Sequence, residues 1–143
     1  MNQPHKQTAS SLTGNFLVGG GEMGELVRTK DWSTTPLGAI ETWPSSLRTA
    51  VSLVLNSNFP ISLAWGPNHT QIYNDGYWPI CGEKHPLSMG QDFSVCWASA
   101  FPAIGEAFYS AMSGKTAFLE DQRMFPHRSR PPCQRSRLMP RLK

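Results

Sequence analysis

Cysteine side chains are the residues of this sequence that could hold a metal ion or form a disulfide framework. The chain has three, Cys81, Cys96 and Cys133, and no two of them have the Cys-x-x-Cys spacing. Structural zinc sites use four cysteine or histidine ligands, and disulfide frameworks use paired cysteines. We therefore expect reduced thiols and no metal site.

A glycine motif near the N-terminus could bind the phosphates of a nucleotide. Gly19, Gly21 and Gly24 fit Gly-x-Gly-x-x-Gly, between a possible strand and a short helix expected at residues 25–31. In a dinucleotide-binding domain, a second parallel strand follows and ends at an acid that binds the ribose. A turn-rich segment follows here instead. A flexible glycine linker is the favoured interpretation, and a nucleotide-dependent enzyme is an alternative.

The sequence shows no setting for a catalytic nucleophile. In a nucleophile elbow, the serine or cysteine lies in a sharp, glycine-flanked turn between a strand and a helix. No serine or cysteine of this chain has that context. We therefore expect that the chain is not an enzyme.

Length and hydropathy limit the domain organisation. The 143 residues suit one domain rather than a sensor, a kinase and a receiver together. The sequence has no run of about 18 apolar residues, and residues 1–11 are polar, so neither a membrane span nor a signal peptide is predicted. The expected compartment is the cytoplasm.

Charge is divided unevenly along the chain. Six of the 13 basic residues lie in residues 126–143, which contain no acid, so the preceding 125 residues keep seven bases against ten acids. Such a tail would bind polyanions weakly and without sequence preference. A basic-tailed polyanion-binding or nucleic-acid-binding protein is therefore an alternative function, although nucleic acid is disfavoured because the tail has no aromatic residue for base stacking.

Periodicity predicts two longer helices. The first runs from Ser45 to about Asn56 and has an apolar stripe at steps of three and four residues. It either packs across a sheet within the subunit or forms a homodimer. The second covers residues 100–113, and Gly114 ends it.

A β-hairpin is predicted between these helices. Phe59, Ile61, Leu63 and Trp65 alternate with smaller or polar residues, which is typical of a strand with one buried face. A turn at residues 66–68 leads to a return strand at residues 70–73, so the pairing is antiparallel.

A series of short motifs follows a fixed order through this region. They are Asp31-Trp32-Ser33, Thr35-Pro36-Leu37-Gly38, Trp43-Pro44, Ser46-Leu47-Arg48, Phe59-Pro60, Trp65-Gly66-Pro67, Tyr73-Asn74-Asp75, Gly82-Glu83-Lys84-His85-Pro86 and Gly90. Their order and spacing resemble the opening of a PAS domain, and most closely the N-terminal input region of sensor histidine kinases. The resemblance covers residues 22–125. It implies an α+β fold, an antiparallel sheet with flanking helices, preceded by N-terminal helices.

The implied function is sensory input to a two-component system. Such a domain binds a small ligand or a partner and regulates a kinase, which this chain does not contain. In PAS domains, short helices wall a ligand cavity and a long connecting helix, here residues 100–113, flanks it. The candidate lining residues, each of which could equally be plain core, are Trp65, Tyr73, Trp78, Cys81, Phe93, Trp97 and Phe108.

The resemblance also bears on cofactors, although the ligand itself stays unknown. Haem-binding members carry a histidine ligand in or near the connecting helix, and residues 100–113 contain none. Flavin photosensors place their cysteine in Asn-Cys-Arg-Phe-Leu-Gln, which the sequence around Cys81 does not match. Neither haem nor flavin is therefore expected. His85 and His127 also lack the helical setting of a phosphoacceptor.

The resemblance fails at the C-terminal end. Residues 117–125 would form a third strand, and two further strands should follow. Residues 126–143 instead contain four prolines and almost no β-branched residue, which disfavours strands. We interpret the chain as a flexible leader (1–21), a helical segment (22–58), a partial PAS domain (59–125) and a disordered basic tail (126–143), the last arising from truncation or a shifted reading frame.

Overall fold

The computed structural model describes residues 17–120. The predicted leader up to residue 16, the end of the predicted third strand at residues 121–125 and the basic tail lie outside the described residues. The described part divides between two compact units, the first ending at Ala98 and the second beginning at Ser99.

The first unit contains four α-helices and a two-stranded sheet among its described residues. In chain order the elements are α1 (Gly21–Thr29), the 3-10 helices Trp32–Thr34 and Ile40–Thr42, α2 (Ser45–Leu55), β1 (Ser62–Trp65), β2 (Thr70–Tyr73), α3 (Trp78–Cys81), the 3-10 helix Gly82–Lys84 and α4 (Phe93–Cys96). Helices and an antiparallel pair of strands make this an α+β fold.

Helix α2 agrees with its prediction. The helix ends at Leu55, and its stripe of Leu47, Val51, Val54 and Leu55 is buried. Most of the stability of such a helix comes from burying its apolar side chains. Each fully buried leucine or valine contributes about 1.5–3 kcal/mol. The stripe therefore packs within this subunit.

Two tryptophans fix the loops between α1 and α2. The Trp32 and Trp43 rings meet edge to face, with centroids 5.1 Å apart. Trp32 Nε1 donates to the Val27 carbonyl at 2.7 Å, and Trp43 Nε1 donates to the Gly38 carbonyl at 3.0 Å. Both buried indoles thus have hydrogen-bond partners, as large amphipathic side chains require.

The hairpin is antiparallel, as predicted, but its burial differs from the prediction. Residue Ser62 pairs with Tyr73 and Trp65 with Thr70. Every β1 residue is only half-buried, whereas all four β2 residues are buried, and Phe59 is 77% exposed. The prediction of one buried face on the first strand is therefore wrong.

The position of β2 in the sheet explains this difference. On the side away from β1, the Gln71 N–H donates to the Gln91 carbonyl and the Gly90 N–H donates to the Gln71 carbonyl, both at 2.8 Å. Strand β2 thus lies between β1 and residues 90–93, while β1 forms an edge of the described sheet. A central strand is enclosed on both sides, and an edge strand is not.

Asn74 joins the hairpin to the end of α2. Its Nδ2 donates to the carbonyls of Val54 (3.0 Å) and Phe59 (2.6 Å). Its Oδ1 accepts from the N–H groups of Ile61 (3.0 Å) and Tyr77 (3.1 Å). A buried amide that uses both ends in this way fixes the turn after β2.

The described part of the second unit contains helix α5 (Phe101–Met112), and residues 113–120 after it form no helix or strand. Phe101 contacts Phe108, with ring centroids 5.5 Å apart, and Gly114 has the positive φ of 85° that ends many helices. Residues 117–120 form no strand and are exposed, so the predicted third strand is absent over these four residues. A strand needs a ladder partner for its N–H and C=O groups. Over residues 17–120, no helix has the length and apolarity needed to cross a membrane.

Candidate functional site

The register of the hairpin sorts its side chains onto two faces. Side chains alternate along a strand, and directly paired residues share a face. Ser62 and Tyr73 form one pair, and Ala64 and Gln71 form another on the same face. This face carries the polar side chains described next, which we call the Tyr73 cluster; its members are Ser62, Gln71, Tyr73, Tyr77, Cys81, His85, Ser88, Cys96 and Trp97.

Tyr73 lies at the centre of the cluster. Its side chain is fully buried, and its hydroxyl lies 2.7 Å from His85 Nδ1 and 2.8 Å from Ser88 Oγ. Burial raises the pKa of Tyr73 far above its ordinary value. The hydroxyl therefore keeps its single proton, which it donates to one neighbour while it accepts from the other.

His85 closes the cluster at its more exposed edge. Its ring packs against Trp78 at a centroid distance of 5.0 Å. Partial burial lowers the pKa of His85 below 6.5, and the Glu22 carboxylate opposes this shift. His85 is therefore mainly neutral at pH 7. A neutral imidazole carries one ring proton, so Nδ1 accepts from the Tyr73 hydroxyl in one tautomer and donates to it in the other.

Gln71 links the sheet to the segments after it. Its Oε1 accepts from Trp97 Nε1 at 2.7 Å, and its Nε2 donates to the Ser88 carbonyl at 3.2 Å and weakly to Cys96 Sγ at 3.9 Å. The side chain is completely buried. Both ends of the amide are occupied, so its orientation is fixed and it connects three parts of the chain.

The two described cysteines are buried free thiols. Burial raises the pKa of both Cys81 and Cys96, and Cys81 lies beside Tyr73 and Ser88. Both thiols are therefore neutral near pH 7 and have the low reactivity of buried cysteines. Within residues 17–120, no three histidine, cysteine, aspartate or glutamate side chains are close enough to hold a metal ion.

Ser62 and Tyr77 add hydroxyl groups to the same face. The Tyr77 ring lies 5.8 Å from that of Tyr73 and 6.1 Å from that of Trp97, and burial raises its pKa. Ser62 Oγ is buried and interacts with the Tyr77 hydroxyl, although the pair does not meet strict hydrogen-bond geometry. Ser62 Oγ therefore keeps capacity to bond another polar atom.

The structure brings together part of the predicted lining set. Tyr73, Cys81 and Trp97 belong to the cluster, Trp78 stacks on His85, and the Phe93 ring lies 6.3 Å from that of Trp97.

Trp65 is placed on the opposite face of the hairpin by its pairing with Thr70, and Phe108 belongs to the second unit. The predicted lining set did not include six members of the cluster, most of which are polar: Ser62, Gln71, Tyr77, His85, Ser88 and Cys96. One signal was present. Gln71 stands two positions before Tyr73 and therefore shares its face.

The glycine motif has a structural explanation. The Asp75 carboxylate accepts from the N–H groups of Glu22 (3.2 Å) and Met23 (2.7 Å), so the protein's own anion occupies the start of α1. Helix α1 begins at Gly21 rather than at residue 25. A Cβ at residue 24 would lie 2.2 Å from the Gly19 carbonyl oxygen, so close backbone packing requires glycine there.

Comparison of the chain with protein-family models, with curated proteins and with solved structures gave no match in any of the three. Functional inference therefore starts from the Tyr73 cluster and from the motifs of the sequence.

Proposed function

We propose that this chain is a PAS-type sensory input domain of a two-component sensor histidine kinase. It binds a small ligand or a partner and regulates a kinase that lies outside this chain. Two observations support the proposal. The ordered motifs between residues 31 and 90 resemble those of such domains. The order of elements, a hairpin, short helices and then the longer helix α5, agrees with the order that the resemblance implies.

The hydrogen bonds of the Tyr73 cluster are the main structural support for the proposal. Its hydrogen bonds connect β2 to the half-buried His85 and to the buried residues Ser88 and Trp97. A buried network of this kind has few alternative arrangements, since each broken bond leaves a costly unpaired group. A molecule that replaces one of these bonds shifts the population between two arrangements of the segments after the sheet.

The chemistry of the cluster favours an uncharged ligand with hydrogen-bonding groups. Its tyrosines and thiols are protonated, and His85 is mainly neutral at pH 7. A charged ligand would be desolvated there without a countercharge. Ser62 Oγ can bond one polar atom of the ligand, and the Tyr77 and Trp97 rings provide apolar contact.

We propose that the domain regulates the kinase through a homodimer formed by α2. Most of the apolar stripe of α2 is buried within the subunit, but Leu53 is 69% exposed. A homodimer would therefore use the Leu53 side of α2.

The ligand proposal is tested with the full chain in a thermal-shift screen of uncharged polar compounds. We expect at least one compound to raise Tm in a saturable way. Tyr73→Phe should abolish that shift, whereas Tyr109→Phe, at a site 63% exposed in α5, should retain it. A folded chain that responds to no compound, or an equal response in Tyr73→Phe, would contradict the proposal.

Polyanion binding by the basic tail is a second candidate, supported by the six cations and no acid of residues 126–143. It predicts retention on heparin at low salt, and loss of retention when residues 126–143 are deleted. Retention that survives the deletion would exclude this candidate.

A further inference from the structure

A surface pocket of about 360 Å³ lies apart from the Tyr73 cluster, within the first unit. This volume is within the range of small-molecule sites. The pocket lies between the start of α1, the end of α2 and the turn after β2. Its polar and charged lining side chains are Asn56, Ser57, Asn58 and Asp75.

Asp75 gives the pocket a negative charge. It is the charged residue of the lining, and no lysine or arginine among residues 17–120 lies within ion-pair distance of its carboxylate. Its oxygens accept from the N–H groups of Glu22 and Met23, which hold the carboxylate in place. The helix N-terminus offsets about half a charge, and each oxygen keeps lone-pair capacity for another donor.

The end of α2 adds to the negative potential. The last carbonyls of a helix carry about half a negative charge, and α2 has no basic residue in its last turn to offset it. Asn56 Nδ2 is already engaged with the carbonyls of Ser52 (2.9 Å) and Val18 (3.2 Å). The free end of the Asn56 amide is therefore its oxygen, an acceptor.

We propose that this pocket binds a small organic cation, a primary ammonium or guanidinium compound with a short alkyl chain. The ammonium group would donate to the Asp75 carboxylate and to acceptors at the end of α2. Leu55, which also lines the pocket, offers apolar contact to the alkyl part. A bare divalent metal fits less well, since a single carboxylate supplies few of the six or more oxygen ligands that Mg²⁺ or Ca²⁺ takes.

This site is independent of the uncharged ligand proposed for the Tyr73 cluster. The two sites use different residues and opposite chemistry. Tyr73→Phe should therefore leave cation binding unchanged, so failure of one proposal is distinguishable from failure of the other.

The test is a ¹H–¹⁵N NMR titration of the full chain with n-butylammonium chloride. We expect saturable shifts of the amides of Gly20, Gly21, Asn58 and Gly76, and weaker binding as NaCl increases. Sodium butyrate at equal ionic strength, which has a similar chain and the opposite charge, should give none. No saturable shift with the amine, or equal shifts with butyrate, would overturn the proposal.

Two lysine variants distinguish binding in the pocket from attraction by the overall charge of the protein. Asn58→Lys places a tethered ammonium at the pocket and should weaken n-butylammonium binding by at least about tenfold, because the tether gives it a high effective concentration. Val95→Lys adds the same charge to an exposed position of α4 that is not part of the lining. It should leave the affinity within about twofold, as expected for a charge in high-dielectric solvent. Equal weakening in both variants would mean that long-range charge, not the pocket, attracts the amine.

Discussion

At the scale of single residues, the Tyr73 hydroxyl is a tightly constrained polar group of the described chain. Two hydrogen bonds of 2.7 and 2.8 Å hold it where the side chain is fully buried. It connects a half-buried histidine to a buried serine. Removing this one atom therefore alters both neighbours at once.

Tyr73→Phe should lower the free energy of unfolding by about 1–3 kcal/mol, because Ser88 Oγ and His85 Nδ1 both lose their hydrogen bond to the Tyr73 hydroxyl. Urea denaturation monitored by tryptophan fluorescence measures this change. Tyr109→Phe is the matched control, and its effect should be within about 0.5 kcal/mol, as for other exposed positions. Equal stabilities of the two variants would show that the cluster does not support the fold.

His85 should make stability depend on pH. Burial lowers its pKa in the folded state below 6.5, so the unfolded state binds the proton more readily. Stability from the neutral histidine is thus present above about pH 6.5 and is lost as pH falls below that value. Asp31 and Asp92, whose pKa values are lowered from 3.8, titrate below this window.

Thermal melts of the full chain between pH 7.5 and pH 5.5 test this dependence. Tm should fall with pH in the unmodified chain and fall less in His85→Gln. A Tm that rises as pH falls would contradict the assignment of a neutral His85.

At the scale of elements, the N-terminus of α1 is capped by a residue of the turn after β2. Asp75 accepts from the N–H groups at the start of α1, and Gly20, in the N-cap position, has no side chain to do so. The cap therefore acts as a tertiary contact between α1 and the turn after β2. Its loss affects the helix and its docking together.

Asp75→Ala should lower the free energy of unfolding by about 0.5–2 kcal/mol, the usual cost of losing a cap. Chemical denaturation followed by circular dichroism measures it. Glu83→Ala removes an exposed acid outside these contacts and should change stability little. If the two variants were equally stable, Asp75 would not cap α1.

The sequence predicted those elements whose signals are local. The stripe of Leu47, Val51 and Val54 recurs at helical spacing, and this alone predicts α2. The hairpin was predicted from alternation and turn residues. The exposure of Phe59 was not predicted, because the burial of a residue depends on which strand is central in the sheet. The strand expected from residue 117 failed for a similar reason, since a strand forms only with a partner.

The candidate site was less predictable than the elements. The hydrogen bond between Trp97 and Gln71 joins residues 26 positions apart, and that between Ser88 and Tyr73 joins residues 15 apart. Neither follows from a periodic pattern. The aromatic members Tyr73 and Trp97 were predicted, because large side chains near a hairpin commonly line its covered face. Their polar partners depend on the tertiary structure.

At the scale of the whole molecule, the first unit carries two chemically different regions. The Tyr73 cluster is buried and uncharged, whereas the pocket beside Asp75 is open and negative. All five tryptophans of the chain also lie in this unit. Their indole N–H groups therefore report separately on different parts of it.

The most direct test of the central claim follows the Trp97 indole N–H in ¹H–¹⁵N spectra as an uncharged compound from the screen is added to the full chain. Trp97→Phe assigns the signal. Because Trp97 bonds Gln71 inside the cluster, its signal should shift in a saturable way. The indoles of Trp32 and Trp43, bonded to Val27 and Gly38, should stay in place. A binding compound that shifts these two signals and leaves Trp97 unchanged would contradict a ligand site at the Tyr73 cluster.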